Sequence, residues 1–420
     1  MNFSKNSVHV LHYAPPVLPG RELLAQWERE GAFRSLSPMD LALAIRSQVA
    51  DPEVASAVAS QLQLRTQAEK KFGSLARTLL WTRDGYEQAT RWVLARLHAQ
   101  RFLDSGAHHI GDLGCGIGAD SFAFARAGMR VTSFDIDDEA LAAAGANLSA
   151  FPSCRVEKRD VTTLQGEDFH TYGFDALFAD PARRTGKQGG SKRITSPEDW
   201  SPSLDHVLAW GYSIPRLGVK VAPGIPYDLI PEHFHAQWTS VDGDLLEAAL
   251  WAPELAPEGA GRSASVITAD QVHTLIDPQT QAANSQHRQA ECGPLDSYIF
   301  EPDSAVIRSG TIACLAEQMG AHLVSESIAY LSGPTLHQTP FASAFEVIDH
   351  VNLRVKNIQQ VLRALNVGRV EIKKRGADIQ PDALRKSLKL KGDAEAVIIA
   401  TRIGGAHRAI IARRISDGEA

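Results

Sequence analysis

Apolar residues recur at intervals of three and four between about residues 35 and 104, as at Trp92, Leu94, Ala95, Leu97 and Phe102, in a stretch rich in Ala, Leu, Gln and Arg. That spacing lines one side of a helix and predicts a helical region. From about residue 107 to 268 the texture changes. Short β-branched or apolar runs alternate with helix-like segments, the pattern of a parallel sheet covered on both faces. The runs predict strands at 109–113, 130–135, 154–158, 174–179 and 218–222. Residues 120–127 read as a helix closed by Gly128, and 137–149 as another whose first turn is acidic, where the helix dipole favours carboxylates. The Pro- and Gly-rich residues 252–261 read as a turn between two closing strands.

Residues 270–292 are rich in Gln and Ala with no clear period, and read as a linker or surface excursion. Beyond them, 369–376 alternates like an exposed strand ending in a turn. Arg385, Lys386, Lys389 and Lys391 follow on a helix, and 397–400 with 408–415 form a hairpin around Gly404-Gly405. The fold class is therefore α/β, a doubly wound Rossmann-like core with a helical N-terminal region and a small α+β C-terminal domain. The expected boundaries are 1–105, 106–292 and 293–420.

Composition changes this picture only locally. With 44% hydrophobic and 22% charged residues and a net charge of -6, the chain resembles an average soluble protein. Residues 340–420, however, hold 15 Lys or Arg against 9 Asp or Glu, so this tail is +6 and the remainder -12. No apolar stretch suits a signal peptide or a membrane span. The four cysteines form no CxxC pair, which argues against a metal site or disulfide framework and fits a reducing cytoplasm.

The chemistry concentrates in Gly111-Asp112-Leu113-Gly114-Cys115-Gly116-Ile117-Gly118-Ala119-Asp120. A strand that ends in closely spaced glycines and opens a helix lets the backbone turn sharply and approach a ligand. Gly114, Gly116 and Ala119 also satisfy a loose dinucleotide fingerprint, so a nicotinamide-dependent oxidoreductase stays open. Asp112, before the first glycine, could face a ligand's ammonium; a pyrophosphate would gain nothing from it. Asp135, followed by Ile136, ends the second strand about 20 residues on, the spacing at which an acid accepts from ribose hydroxyls. Asp160, beyond the third strand, is placed to accept from an adenine amino group.

Asp112 to Gly118, followed by Asp135, Asp160 and Asp180-Pro181, resembles a class I S-adenosylmethionine-dependent methyltransferase. Glu87-Gln88-Ala89-Thr90, Tyr298-Ile299-Phe300-Glu301-Pro302-Asp303 and Ala305-Val306-Ile307-Arg308 extend the likeness to a bacterial group with a C-terminal THUMP-like domain, relatives of trimethylguanosine synthase-like enzymes. The resemblance implies S-adenosylmethionine as cofactor, bound by Asp112, Gly114, Gly116, Gly118, Asp135, Ile136 and Asp160.

Ligands of open α/β sheets bind outside the carboxyl ends of the strands, which puts Asp180, Pro181 and Arg183 where the transferred methyl should be. Asp180 would accept from the incoming nucleophile and Pro181 would fix the turn. Relatives that methylate exocyclic amines often carry Asn or Asp, two prolines and an aromatic here; Ala182 and Arg183 depart from that pattern. Arg184, Lys187, Lys192 and Arg193, in a Gly-rich loop, and Lys373, Lys374 and Arg375 in the basic tail are candidate phosphate contacts. THUMP domains are associated with RNA, so the resemblance implies a structured RNA substrate such as ribosomal or transfer RNA. A noncatalytic RNA-binding protein that keeps the cofactor fold stays open. His108 and His109 are expected to be structural, and Cys115 not to be a nucleophile.

Overall fold

The structure, a computed structural model, describes residues 20–183, 200–286 and 288–415. The chain divides into two units, residues 1–221 with 251–257 and residues 222–250 with 258–420.

The first unit opens with helices α1 (Arg21–Glu30), α2 (Pro38–Arg46), α3 (Pro52–Phe72), α4 (Arg83–Gln88) and α5 (Trp92–Asp104). Two of them start by the same local rule. Ser37 accepts from Asp40 N ahead of Pro38, and Asp51 accepts from Glu53 N and Val54 N ahead of Pro52. A polar cap satisfies amides that the first turn leaves orphaned, and a proline next to it loses no bond. Leu24, Trp27, Ile45, Val58 and Leu62 then share one buried cluster.

After α5 the strands and helices alternate as β1 (His109–Leu113), α6 (Ala119–Arg126), β2 (Arg130–Asp135), α7 (Asp138–Leu148), β3 (Cys154–Lys158), α8 (Gly166–Tyr172) and β4 (Ala176–Ala179). A short antiparallel pair follows, β5 (Ala182–Arg183) with β6 (Trp200–Ser201), then α9 (Leu204–Trp210) and β7 (Leu217–Val221). The long strands run β7-β4-β1-β2-β3, all parallel. This is the expected doubly wound core, with its reversal of strand order between β1 and β4. Strand β4 starts two residues later than the pattern predicts. The Asp175 carboxylate accepts the amides of His108 and His109 and is used as a bracket. The Asp137 side chain accepts from Ala140 N and caps α7.

Phe102, Phe124 and Phe178 meet edge to face at 5.4–6.2 Å, and Trp251 joins Phe102 at 6.2 Å. Each such ring contributes roughly 1.5–3 kcal/mol by leaving water. His109 bonds Thr132 Oγ1 and the Gly173 carbonyl, the structural role expected of it.

The second unit begins with β8 (His235–Val241), β9 (Asp244–Trp251, whose last residue belongs to the first unit), β10 (Gly261–Thr268) and β11 (Gln271–Ile276). The turn expected over 252–261 does separate β9 from β10. The linker expected from residue 270 does not begin there, because Gln271–Ile276 pairs antiparallel with β10. Ala269 and Asp270 both take positive φ, 49° and 62°, to make that hairpin turn. Neither is the Asn-Gly or Asp-Gly pair that advertises such a turn in a sequence.

A seven-stranded sheet follows, ordered β13-β14-β12-β15-β18-β17-β16. Its elements are β12 (Tyr298–Pro302), α10 (Ser304–Ser309), α11 (Ile312–Met319), β13 (His322–Leu323), β14 (Leu331–Gly333), β15 (Ala342–Asn352), α12 (Val355–Ala364), β16 (Val367–Lys374), α13 (Pro381–Leu388), β17 (Ala394–Ile403) and β18 (Ala406–Arg414). Ile399 and Ile410 join a cluster with Ile299, Tyr330 and Phe345, while their neighbours Ile398 and Ile411 join Ile358 of α12 and Leu388 of α13. The twofold period of a strand explains how adjacent isoleucines serve opposite faces. The predicted hairpin around Gly404-Gly405 is β17–β18.

Candidate active site

Two glycines shape the turn after β1. Gly114 has φ +92°, and a Cβ there would lie 3.2 Å from the Asp180 carbonyl oxygen, so turn and β4 end can approach only without a side chain. Gly116 has φ +54°, and a Cβ there would meet nothing within 4 Å. Open space beside a bare backbone, next to carboxylates, lets a ligand come close to the turn. Gly118, with φ +80°, leads into α6 against Ala144.

Asp135 is more than a loop acid. Its Oδ2 accepts from Gly116 N at 2.8 Å, and its Oδ1 from Ile136 N at 2.7 Å and Asp137 N at 3.0 Å. Three amides thus fix one carboxylate at the end of β2. Ile136 stands beside it 63% exposed, an apolar surface held in water. Asp160 lies past β3, where Thr162 N and Thr162 Oγ1 donate to Oδ1 and hold its carboxyl below the usual range.

Asp112 is enclosed, 1% exposed, rather than open to solvent. Its Oδ2 accepts from Ser121 Oγ, which in turn meets Ser133 Oγ at 2.7 Å. Burial first, and then the charge of Asp120, push this carboxyl up to about 8; Asp180 and Asp135 add to the rise and the Ser121 bond opposes it. Asp120 goes the other way. Burial would raise it, but the His98 bond at 2.8 Å, the charge of His98, Lys220 and a bond from Thr90 together bring it below its ordinary value. Cys115 is no nucleophile in waiting, since burial and the nearby Asp112 and Asp135 push its thiol well up.

Asp180 stands at the end of β4, where its Oδ2 takes Lys220 Nζ at 2.6 Å. Lys220 also donates to Thr90 Oγ1 at 3.0 Å. The structure therefore gathers Asp112, Gly114, Gly116, Gly118, Asp135, Ile136 and Asp180 around the carboxyl ends of β1, β2 and β4, with buried Pro181 next in chain. The backbone of Arg183 lies in β5. Arg184, Lys187, Lys192 and Arg193 lie outside the described residues.

Lys373, Lys374 and Arg375 belong to the second unit, where each has an internal acceptor: Glu301 Oε2 at 2.6 Å, the Ile379 carbonyl at 2.8 Å and the Ala329 carbonyl at 3.0 Å. Spacing alone did not single out His98, Asp120 or Lys220. Lys220 left a signal, a lone lysine inside an otherwise apolar predicted strand. His98 left only its place on the apolar side of a helix. Among the described residues no group of three or more His, Cys, Asp or Glu could hold a metal ion, and no helix is long and apolar enough to cross a membrane.

Known proteins agree with this geometry. A methyltransferase domain model matches residues 110–182, and a THUMP domain-like model matches residues 342–414. An uncharacterized S-adenosylmethionine-dependent methyltransferase of Mycobacterium tuberculosis, found in two strains, is 31% identical over 350 residues, which span 81% of this chain and 91% of the relative. The crystal structure of a methyltransferase from Porphyromonas gingivalis superposes with a TM-score of 0.71 at 17% identity, covering 94% of this chain and 98% of that one, and shares the fold. The choice between two cofactors that the glycines left open thereby closes in favour of S-adenosylmethionine. With the doubly wound core, the glycine turn and a relative matched along most of its length, the chain belongs to the S-adenosylmethionine-dependent methyltransferases.

Proposed function

We propose that this enzyme methylates structured RNA, such as ribosomal or transfer RNA, in the cytoplasm. The supporting observation is the THUMP domain-like region together with its surface charge. Residues 353–365 and 380–392, which carry α12 and α13, contain seven Lys or Arg and a single acid, Asp382. Lys356, Arg363, Lys386, Lys389 and Lys391 are all exposed. Gln359 Nε2 donates to the Ser387 and Leu388 carbonyls, each at 3.0 Å, so α12 and α13 share one support; Lys389 and Lys391, expected on the helix, instead follow the end of α13 at Leu388. Such a surface grips phosphates without reading sequence. Lys373, Lys374 and Arg375 add charge; each has an internal acceptor but keeps further donors, and Lys374 is exposed. Arg184, Lys187, Lys192 and Arg193 are assigned to phosphates near the reacting nucleotide.

In this reading the Asp135 carboxylate accepts from the ribose hydroxyls, and exposed Ile136 gives the adenine an apolar face. Asp160 accepts from the adenine amine. Asp112 complements the ammonium, while Gly114, Gly116 and Gly118 keep the turn clear. The bound cofactor supplies the activated methyl carbon. Asp180 accepts a hydrogen bond from the nucleophile, Pro181 fixes that turn, and Arg183 lies next to the substrate; positioning of this kind is worth roughly 7–11 kcal/mol in well-oriented systems.

Labelled methyl from S-adenosylmethionine is offered, with the enzyme, to total RNA and to total protein from cells lacking it. Label in RNA that disappears with Asp180→Ala supports the proposal. Label confined to protein overturns the substrate, and label in neither, with cofactor binding intact, overturns RNA methylation.

A further inference from the structure

Lys220 is a cation at the end of the sheet that no step so far employs, and its charge, with that of Arg91, acts on Lys71 of α3, which Glu87 opposes. Strand β7 pairs parallel with β4, with Ala179 opposite Val219, so Asp180 and Lys220 follow side by side from neighbouring strands. The Lys220 side chain is 16% exposed and the Asp180 side chain 37%. A lysine this enclosed, on a strand whose other residues are apolar or glycine, costs desolvation that only good partners offset. It has them: Asp180 at 2.6 Å and Thr90 at 3.0 Å. Its charge also reaches Asp120, which His98 and Thr90 bond. Three carboxylates, Asp120, Asp135 and Asp180, lie close enough to Asp112 to act on it. Mutual repulsion in so little water drives carboxylates to hold protons, and an ammonium beside one of them reverses that for the one it touches.

We infer that Lys220 is a positioning residue for methyl transfer: paired across the strands with Asp180 and anchored on Thr90, it keeps Asp180 ionised and aimed, without itself touching the substrate. The inference rests on the reading of Asp180 as the group that aligns the nucleophile. The pairing also explains why a charged acid can serve at this position with Ala182 and Arg183 after Pro181 in place of the second proline and aromatic. Asp180 here takes its orientation from the next strand.

The test uses the full chain as wild type, K220M and K220R, with D180N to assign the Asp180 resonance. The carboxyl carbon of Asp180 is followed by carbon-13 NMR against pH in the ligand-free protein, and methyl transfer to the RNA fraction is followed over the same range. An opposite charge at this distance lowers a carboxyl by about one to three pH units. The Asp180 titration and the acid limb of the rate profile should therefore both move up by that much in K220M, and K220R should restore most of both. Identical Asp180 titrations in all three proteins would overturn the inference, as would a K220M rate that falls by one factor at every pH. If RNA accepts no label, the carboxyl titration still decides the role of Lys220, so the two readings fail separately. If K220M does not fold, K220Q in the wild-type and D180N backgrounds replaces it. In denaturant unfolding the glutamine should cost less in D180N than in wild type, because Thr90 and Asp120 remain but Asp180 does not; an equal cost in both marks a lysine uncoupled from Asp180.

Discussion

Gly116 donates its backbone N–H to Asp135 Oδ2 across 2.8 Å, tying the turn after the first core strand to the end of the second. One carboxylate therefore braces the glycine turn and, in the proposed binding mode, also faces the ribose. Asp135→Ala loses both, and hydrogen bonds to charged groups are worth roughly 1.5–3 kcal/mol each. Titration calorimetry with S-adenosylhomocysteine should show at least a tenfold loss of affinity. Gly116→Val probes the same place from the other side: its side chain enters open space, but a β-branched residue at φ +54° strains the turn, so melting temperature and affinity should both fall.

Asp112 makes stability and binding depend on pH. Its folded-state carboxyl, at about 8, lies above its ordinary 3.8, so its contribution to stability is complete below 3.8 and lost as pH rises toward 8. The melting temperature of ligand-free protein should decline between pH 6 and 8, and decline less in Asp112→Asn. In the proposed binding mode a cationic cofactor would draw that proton off. Calorimetry at pH 7 in two buffers of different ionisation heat should register proton release in the wild type and not in the variant.

Asp180→Ala separates binding from chemistry. Affinity for S-adenosylhomocysteine should stay within a few-fold of wild type, while methyl transfer falls by at least a hundredfold. Normal transfer in this variant would remove Asp180 from the reaction.

The basic surface is tested by charge reversal. Lys356→Glu, Arg363→Glu and Lys386→Glu together should leave the melting temperature nearly unchanged and weaken RNA binding. The slope of log affinity against log salt should become shallower by about 0.7–0.9 for each phosphate that the protein no longer neutralises. An unchanged slope would place the RNA elsewhere.

Gly218 lies where a Cβ would come within 2.6 Å of Trp251 and 3.1 Å of Phe102. Gly218→Ala therefore overpacks the aromatic core, with an expected cost of about 1–3 kcal/mol in denaturant unfolding. Full stability would mean that the rings yield more readily than their edge-to-face packing implies.

Much of this was legible in the residues. The order of β1 to β4 and β7 follows from apolar runs, and Asp137 announced its helix by position. What hid was whatever depended on three-dimensional register. Strand β11 escaped because Ala269 and Asp270 turn the chain without the glycine-containing pair that marks such a hairpin. Lys220 meets Asp180 only because two strands about 40 residues apart align, and no local spacing contains that. Lys373, Lys374 and Arg375 were legible as a charged run, but their partners, Glu301 and two carbonyls, were not.

The first unit is closed by residues 251–257, after the chain has left it at residue 221 and built part of the second. Trp251, packed on Phe102, is thus delivered late to a core begun more than a hundred residues earlier. A ribosome releasing this chain cannot finish the methyltransferase half before it has started the other, and no single cut yields either half whole. Gene fusion or truncation must respect that weave: a cut at residue 221 strips the first unit of its closing segment, and one at 257 divides the second.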